Sequence, residues 1–87
     1  ERIGFYNTVV AAGELMPSAA KLAGELAAGP TLAHALTKKM LHLEWNMSVN
    51  EALDAEARAQ AGLMGSKDFR RAYEAFSKKQ KPVFEGD

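Results

Sequence analysis

One group of residues in this 87-residue chain carries binding potential: Lys78, Lys79 and Lys81, with the aromatic Phe76 close before them. Ammonium groups next to an aromatic ring could hold a phosphate while the ring stacks a base. Composition alone favours the plainer account, a solvated basic helix end, since lysines suit the negative end of a helix dipole.

The other chemistry-bearing residues are more easily explained by structure. Glu51, Asp54 and Glu56 could serve as paired carboxylates for general acid–base work. Glu51 has a nearer use in a helix cap, however, and Asp54 is expected to be solvated. Glu56 lies closest to an apolar stripe and is expected to form an ion pair, for instance with an arginine of the last helix, rather than to act in catalysis. His34 and His42, eight positions apart, would stand about 12 Å apart along one helix. They cannot share a metal, and no acid at ligand spacing completes a site with either, so no metal is expected. No Ser, Thr or Tyr sits in a nucleophile motif, and there is no glycine-rich phosphate loop.

The elements that must position these groups read as an all-α arrangement of four helices behind a short leading strand. Ile3 to Val10 is β-branched and aromatic and reads as a strand over about residues 3–10. Leu15, Ala19, Leu22, Ala23 and Leu26 repeat at helical spacing, which predicts a helix over about 14–28 with Pro17 in its first turn. Gly29 and Pro30 separate it from a second helix over about 30–46, whose stripe is Leu32, Leu36, Met40 and Leu43. Leu41 and Trp45 fall off that stripe, so a second covering surface is expected there. Ser48-Val-Asn-Glu51 is a capping box opening a third helix over about 49–64, with a narrow face of Val49, Leu53, Ala57 and Met64. Ser66 caps a fourth over about 67–80, with Asp68 in its first turn, the stripe Phe69, Ala72, Tyr73 and Phe76, and Pro82 as its expected stop.

Composition bounds the rest. Of the 47% hydrophobic residues a large share is alanine, which buries little area, so the core of this single domain is thin and apolar faces are expected to need a partner. Formal net charge is zero, which gives no overall bias toward nucleic acid, and no apolar run is long enough to span a membrane. The charge is segregated all the same. Residues 41–56 hold Glu44, Glu51, Asp54 and Glu56 without a base, whereas 67–81 hold six bases against Asp68 and Glu74. The absence of cysteine fits a reducing, cytoplasmic setting. The first residue is Glu rather than Met, and the expectation is a piece of a longer protein.

With these residues in view, the chain resembles the C-terminal part of the crotonase family, the enoyl-CoA hydratases and isomerases. Arg-Ile-Gly-Phe-Tyr-Asn-Thr-Val-Val is similar to that family's Gly-Leu-Val-Asn-x-Val-Val strand, and Leu26-Ala-Ala-Gly-Pro30 followed by Thr37-Lys38 to its Leu-Ala-x-Gly-Pro and Thr-Lys. Glu51-Ala-Leu with Glu56-Ala resembles its third helix. Ser66-x-Asp68, Ala75-Phe76, Lys79 and Pro82-x-Phe84 keep its order and spacing. Arg71-Ala72 departs from the usual Glu-Gly.

The resemblance implies the trimerisation region of a crotonase-like spiral fold in a lyase or isomerase of fatty acid metabolism. By similarity Phe76 and Lys79 would contact the adenine and 3′-phosphate of a coenzyme A thioester on a neighbouring subunit. That thioester is the parent's substrate, and no further cofactor is implied. The oxyanion donors and catalytic acids would lie in the preceding core, which leaves this chain inactive by itself. Trimer or hexamer packing is implied for the parent and self-association for the fragment. The other reading is a free-standing helical protein–protein interaction module using the third helix and the Leu41/Trp45 face.

Overall fold

The structure, a computed structural model, describes residues 2–87. Its long elements are α1 (Leu15–Ala27), α2 (Thr31–Leu43), α3 (Val49–Met64) and α4 (Lys67–Ser77), with single 3-10 turns at Ala12–Glu14 and Glu44–Asn46. Local chemistry accounts for most of the starts. Pro17 occupies the third position of α1, where its missing N–H has no intrahelical partner to lose. At α3 the Ser48 amide donates to Glu51 Oε2 at 2.7 Å and the Glu51 amide donates to Ser48 Oγ at 3.2 Å, closing the capping box. At α4 the Phe69 amide donates to Ser66 Oγ at 3.1 Å, and the Ser66 hydroxyl donates back to the Leu63 carbonyl at 2.7 Å, tying α3 to α4 through one side chain.

The ends of two helices differ from the sequence pattern. α2 stops as a regular helix at Leu43 and tightens into the 3-10 turn before Met47 turns extended. α4 ends at Ser77, well before Pro82. What stops it is Lys79, which adopts the left-handed conformation at φ 54 and reverses the chain.

The expected leading strand does not form. Residues 2–7 are mostly turn and bend, with Gly4 at φ 77, and residues 8–11 carry no regular secondary structure; no strand is present among the described residues. The reason is topological: a strand persists only beside another strand, and every other element here is helical. The Phe5 and Tyr6 rings meet edge to face, 4.7 Å apart.

α2 packs on α3 and α3 on α4, whereas α1 makes no comparable contact with another long helix. The result is a slab of 43 × 39 × 19 Å with a radius of gyration of 16.6 Å, against roughly 12 Å for a compact chain of this length. Its accessible surface is 7605 Å², where a monomer of this mass is expected to expose roughly 5,000 Å². Among the described residues no hydrophobic side chain is fully buried, and Trp45, Val49 and Leu53 are largely exposed. Leu41 and Trp45 are exposed, so the second covering surface expected for them is not supplied by the described residues. Among the described residues no helix is long and apolar enough to cross a membrane.

Candidate functional site

The fourth helix and the segment after it hold both the candidate binding pair and a charged cluster that its sequence pattern does not announce. At the helix end the Lys79 amide donates to the Phe76 carbonyl at 3.0 Å, and the Gln80 amide donates to the Ala75 carbonyl at 2.8 Å. This pair of bonds is the Schellman arrangement, which requires a left-handed residue at Lys79. Glycine usually fills that position, because the Cβ of any other residue costs roughly 1–2 kcal/mol there. Lys79 is the one non-glycine residue with positive φ among the described residues. The turn fixes its backbone one hydrogen bond from that of Phe76, whose ring is 83% exposed.

The chain then runs back toward the start of α4. Lys81, Pro82 and Phe84 lie along the C-terminal end of α1, in a groove shared with Lys21 and Glu25. Phe84 also closes an apolar groove of about 320 Å³ with Leu32, Leu63, Met64 and Phe69. The last three residues reach Asp68, which is only 3% exposed. Asp68 Oδ1 accepts from the Glu85 amide at 2.9 Å and Oδ2 from the Gly86 amide at 2.8 Å, while the Asp68 amide donates to the Asp87 carbonyl at 2.8 Å. The tail thus satisfies a helix N-terminal amide that would otherwise lack a partner. Gly86 is required at this turn: its φ is +82, and a Cβ there would stand 2.8 Å from Thr31 Oγ1.

Arg71 locks the arrangement. Its Nη1 donates to Asp68 Oδ1 at 2.7 Å and also to Asp87, and its Nη2 donates to Glu85 Oε2 at 2.6 Å. Lys67 adds a contact to Asp87 at 3.1 Å. Burial pushes the Asp68 carboxyl up, but the Glu85 amide, the Arg71 guanidinium and the Gly86 amide outweigh it, and the net shift is downward. The Asp87 carboxyl is lowered by its bonds to Arg71 and Lys67, and Arg71 is held charged more firmly by Asp87 and Asp68.

This clasp sorts the local charge. Lys67 and Arg71 are paired with the tail acids, whereas no ion pair among the described residues engages Lys78, Lys79 or Lys81. The exposed end of α4 is left with three lysines in no ion pair and with the exposed Phe76 on its last turn, residue types able to take an anionic group and a flat ring.

The expected ion pair of Glu56 with an arginine of the last helix does not form: Arg71 is engaged by Asp68, Glu85 and Asp87, Arg70 is exposed, and neither pairs with Glu56. Glu56 instead hydrogen-bonds Glu44 across the α2–α3 junction. That bond, followed by burial and the neighbouring charge, raises the Glu44 carboxyl. Glu44 Oε1 is itself enclosed and has no other hydrogen-bond partner among the described residues. Asp54 is exposed and paired with Arg58 one turn along α3. His34 and His42 remain separate on α2, and among the described residues no group of three His, Cys, Asp or Glu could hold a metal. The clasp was hidden from sequence reasoning because Asp68 and its amide donors lie 17 and 18 positions apart. The acids Glu85 and Asp87 following a run of bases were its one visible sign.

Comparisons with known proteins agree with one another. A family model described as Enoyl-CoA hydratase/isomerase matches residues 1–87. A "Probable enoyl-CoA hydratase" of Rhodobacter capsulatus is 41% identical over 64 residues, covering 74% of this chain and 25% of that protein. A crystal structure from Streptomyces coelicolor A3(2), assigned as an enoyl-CoA hydratase, superposes with a TM-score of 0.93 at 37% identity, covering 99% of this chain and 31% of that one. The enoyl-CoA hydratase subunit I of Geobacillus kaustophilus HTA426 gives a TM-score of 0.90 at 33% identity, over 100% of this chain and 34% of that one. The chain therefore spans about a quarter to a third of the length of these relatives. Its helices take the arrangement found in crotonase-fold proteins, and the chain belongs to the enoyl-CoA hydratase/isomerase family.

Proposed function

We propose that the chain is the C-terminal helical part of an enzyme that hydrates or isomerises an enoyl-CoA thioester. In this reading it supplies packing surface for a trimer or hexamer. Through Phe76 and Lys79 it also contributes to the coenzyme A site of a neighbouring subunit. The observation that carries the site is the Lys79 turn, where an unpaired ammonium-bearing residue in a strained conformation is joined to an exposed aromatic residue. A Phe ring can stack on adenine and an ammonium can pair with a phosphate.

The exposed apolar faces of α1 and α3 support the packing role, since 7605 Å² of surface is far more than a chain of this size leaves open when self-sufficient. The chemistry of such an enzyme passes through an enolate-like thioester stabilised by backbone donors. Those donors belong to the parent's core. The part of this chain is binding energy remote from the reacting carbonyl, which an enzyme can use to hold the substrate in register.

The experiment is turnover of crotonyl-CoA by the full-length enzyme and by residues 1–87 alone. The full-length enzyme is expected to hydrate or isomerise it and the isolated chain to do neither. Turnover by the isolated chain above the buffer rate would overturn the division of labour, and failure of the full-length enzyme on every enoyl-CoA tried would overturn the assignment.

A further inference from the structure

Arg71 is the most heavily engaged side chain in the protein, and the coenzyme A reading leaves it without a part. Its guanidinium, 26% exposed, meets three carboxylates: Asp68 within α4, and Glu85 and Asp87 from the tail. Without a cation there, three acids would face one another around a nearly buried aspartate, and like charges in that position repel. With it, the tail is held at two points. One is the turn at Lys79, fixed by the bonds to Phe76 and Ala75. The other is the Asp68 cradle, which receives the Glu85 and Gly86 amides.

The residues between these points are few. Lys81 to Phe84 pass over the end of α1 under the constraint of both anchors, and Phe84 seats in the groove between α2, α3 and α4. Releasing the second anchor would leave the strained Lys79 backbone held by the turn alone, free to relax out of the left-handed region that costs it energy. A relaxed Lys79 no longer keeps its fixed relation to Phe76.

We propose that Arg71 is a positioning residue: with Asp68 it clasps Glu85–Asp87 against the start of α4 and so holds Lys79 beside Phe76 to receive the phosphate of the coenzyme A nucleotide. The proposal rests on the reading of Phe76 and Lys79 given above. Arg71 itself touches no substrate. It acts through the tail, and its effect is confined to substrates that carry the nucleotide.

The test uses the full-length enzyme with two thioesters of the same acyl group, one on coenzyme A and one on pantetheine, which lacks the nucleotide. Arg71→Gln is expected to raise KM for the coenzyme A thioester on the order of tenfold, below the ~100-fold that a misplacement of ~1 Å can cost at a reacting centre. KM for the pantetheine thioester and kcat for both should be unchanged, and Arg71→Lys should restore most of the loss. Hydrogen exchange supplies the structural readout. In Arg71→Gln and in Asp68→Asn the Glu85, Gly86 and Asp68 amides should lose protection while the amides of α4 beyond its first turn keep theirs.

The outcomes separate the two readings. If Lys79→Ala raises KM for the coenzyme A thioester and Arg71→Gln does not, the clasp has no positioning role and only this proposal falls. If Lys79→Ala also leaves KM unchanged, the nucleotide contact itself is wrong and the proposal falls with it. Loss of protection throughout α4, or an equal effect on both thioesters, would make Arg71 a general stabilising residue and overturn the proposal as well.

Discussion

Replacing Lys79 with glycine should make the protein more stable and its substrate binding worse. The φ of 54 at Lys79 carries a strain of roughly 1–2 kcal/mol for any residue with a Cβ. Glycine removes that strain but gives back about 0.5–1 kcal/mol through its greater freedom in the unfolded chain. The difference leaves a net stabilisation of about 0.5–1 kcal/mol, which for a protein of 150–250 residues corresponds to a rise of about 1–4 °C in the melting temperature. The same substitution deletes the ammonium, and loss of one partly exposed phosphate contact should weaken coenzyme A binding about tenfold, or ~1.4 kcal/mol. Lys79→Ala separates the two effects, since it deletes the ammonium and keeps the strain. The assay is thermal unfolding of the full-length enzyme together with a coenzyme A titration of each variant. Both variants should bind equally weakly, and only the glycine variant should melt above the wild type. A glycine variant no more stable than the alanine one would show that the turn stores no strain. Unchanged binding in both would show that Lys79 sits there for another reason.

Further expectations concern pH and assembly. Asp68 and Asp87 are shifted down, so the clasp contributes stability above the ordinary aspartate range and loses it as pH falls through their lowered values. Exchange protection of the Glu85 and Gly86 amides should therefore be level from neutral pH to about pH 4 and collapse below it; a loss between pH 6 and 8 would contradict this. Glu44 is shifted up and has the opposite sign: its contribution is present at low pH and is lost as pH rises through the raised value. Glu56→Gln, which keeps a hydrogen-bonding partner and removes the repelling charge, should stabilise the protein at neutral pH and have little effect in acid. Destabilisation at neutral pH would refute the carboxyl pair. Residues 1–87 alone, with their apolar faces uncovered, should self-associate; light scattering that gives the monomer mass at tens of micromolar would count against it.

What could be read in the sequence is what short-range chemistry decides. The box of Ser48 with Glu51, the Ser66 cap and the place of Pro17 each depend on residues within one turn, and the structure forms all three. Features that depend on distant partners were not legible in the same way. Residues 3–10 have the composition of a strand, but composition cannot supply the neighbouring strand that a ladder needs. Pro82 looked like the stop of the last helix, whereas a left-handed lysine ends it, and left-handed lysine has no compositional mark. The spacing on α3 suggests an arginine partner for Glu56, but the group that faces it is Glu44 from the turn after α2, a neighbour set by helix packing rather than by sequence spacing. At the candidate site the cluster of Lys78, Lys79 and Lys81 near Phe76 is legible in the spacing and the resemblance alone singles out Phe76 and Lys79, while the clasp beside them depends on chain reversal over Lys78 to Asp87.

The proposed contact of Lys79 with the 3′-phosphate is tested by comparing the affinities of coenzyme A and 3′-dephospho-coenzyme A for the full-length enzyme, in the wild type and in Lys79→Glu. The wild type should prefer coenzyme A, and Lys79→Glu should abolish or invert the preference while the fold is retained. A preference of equal size in both proteins would contradict it.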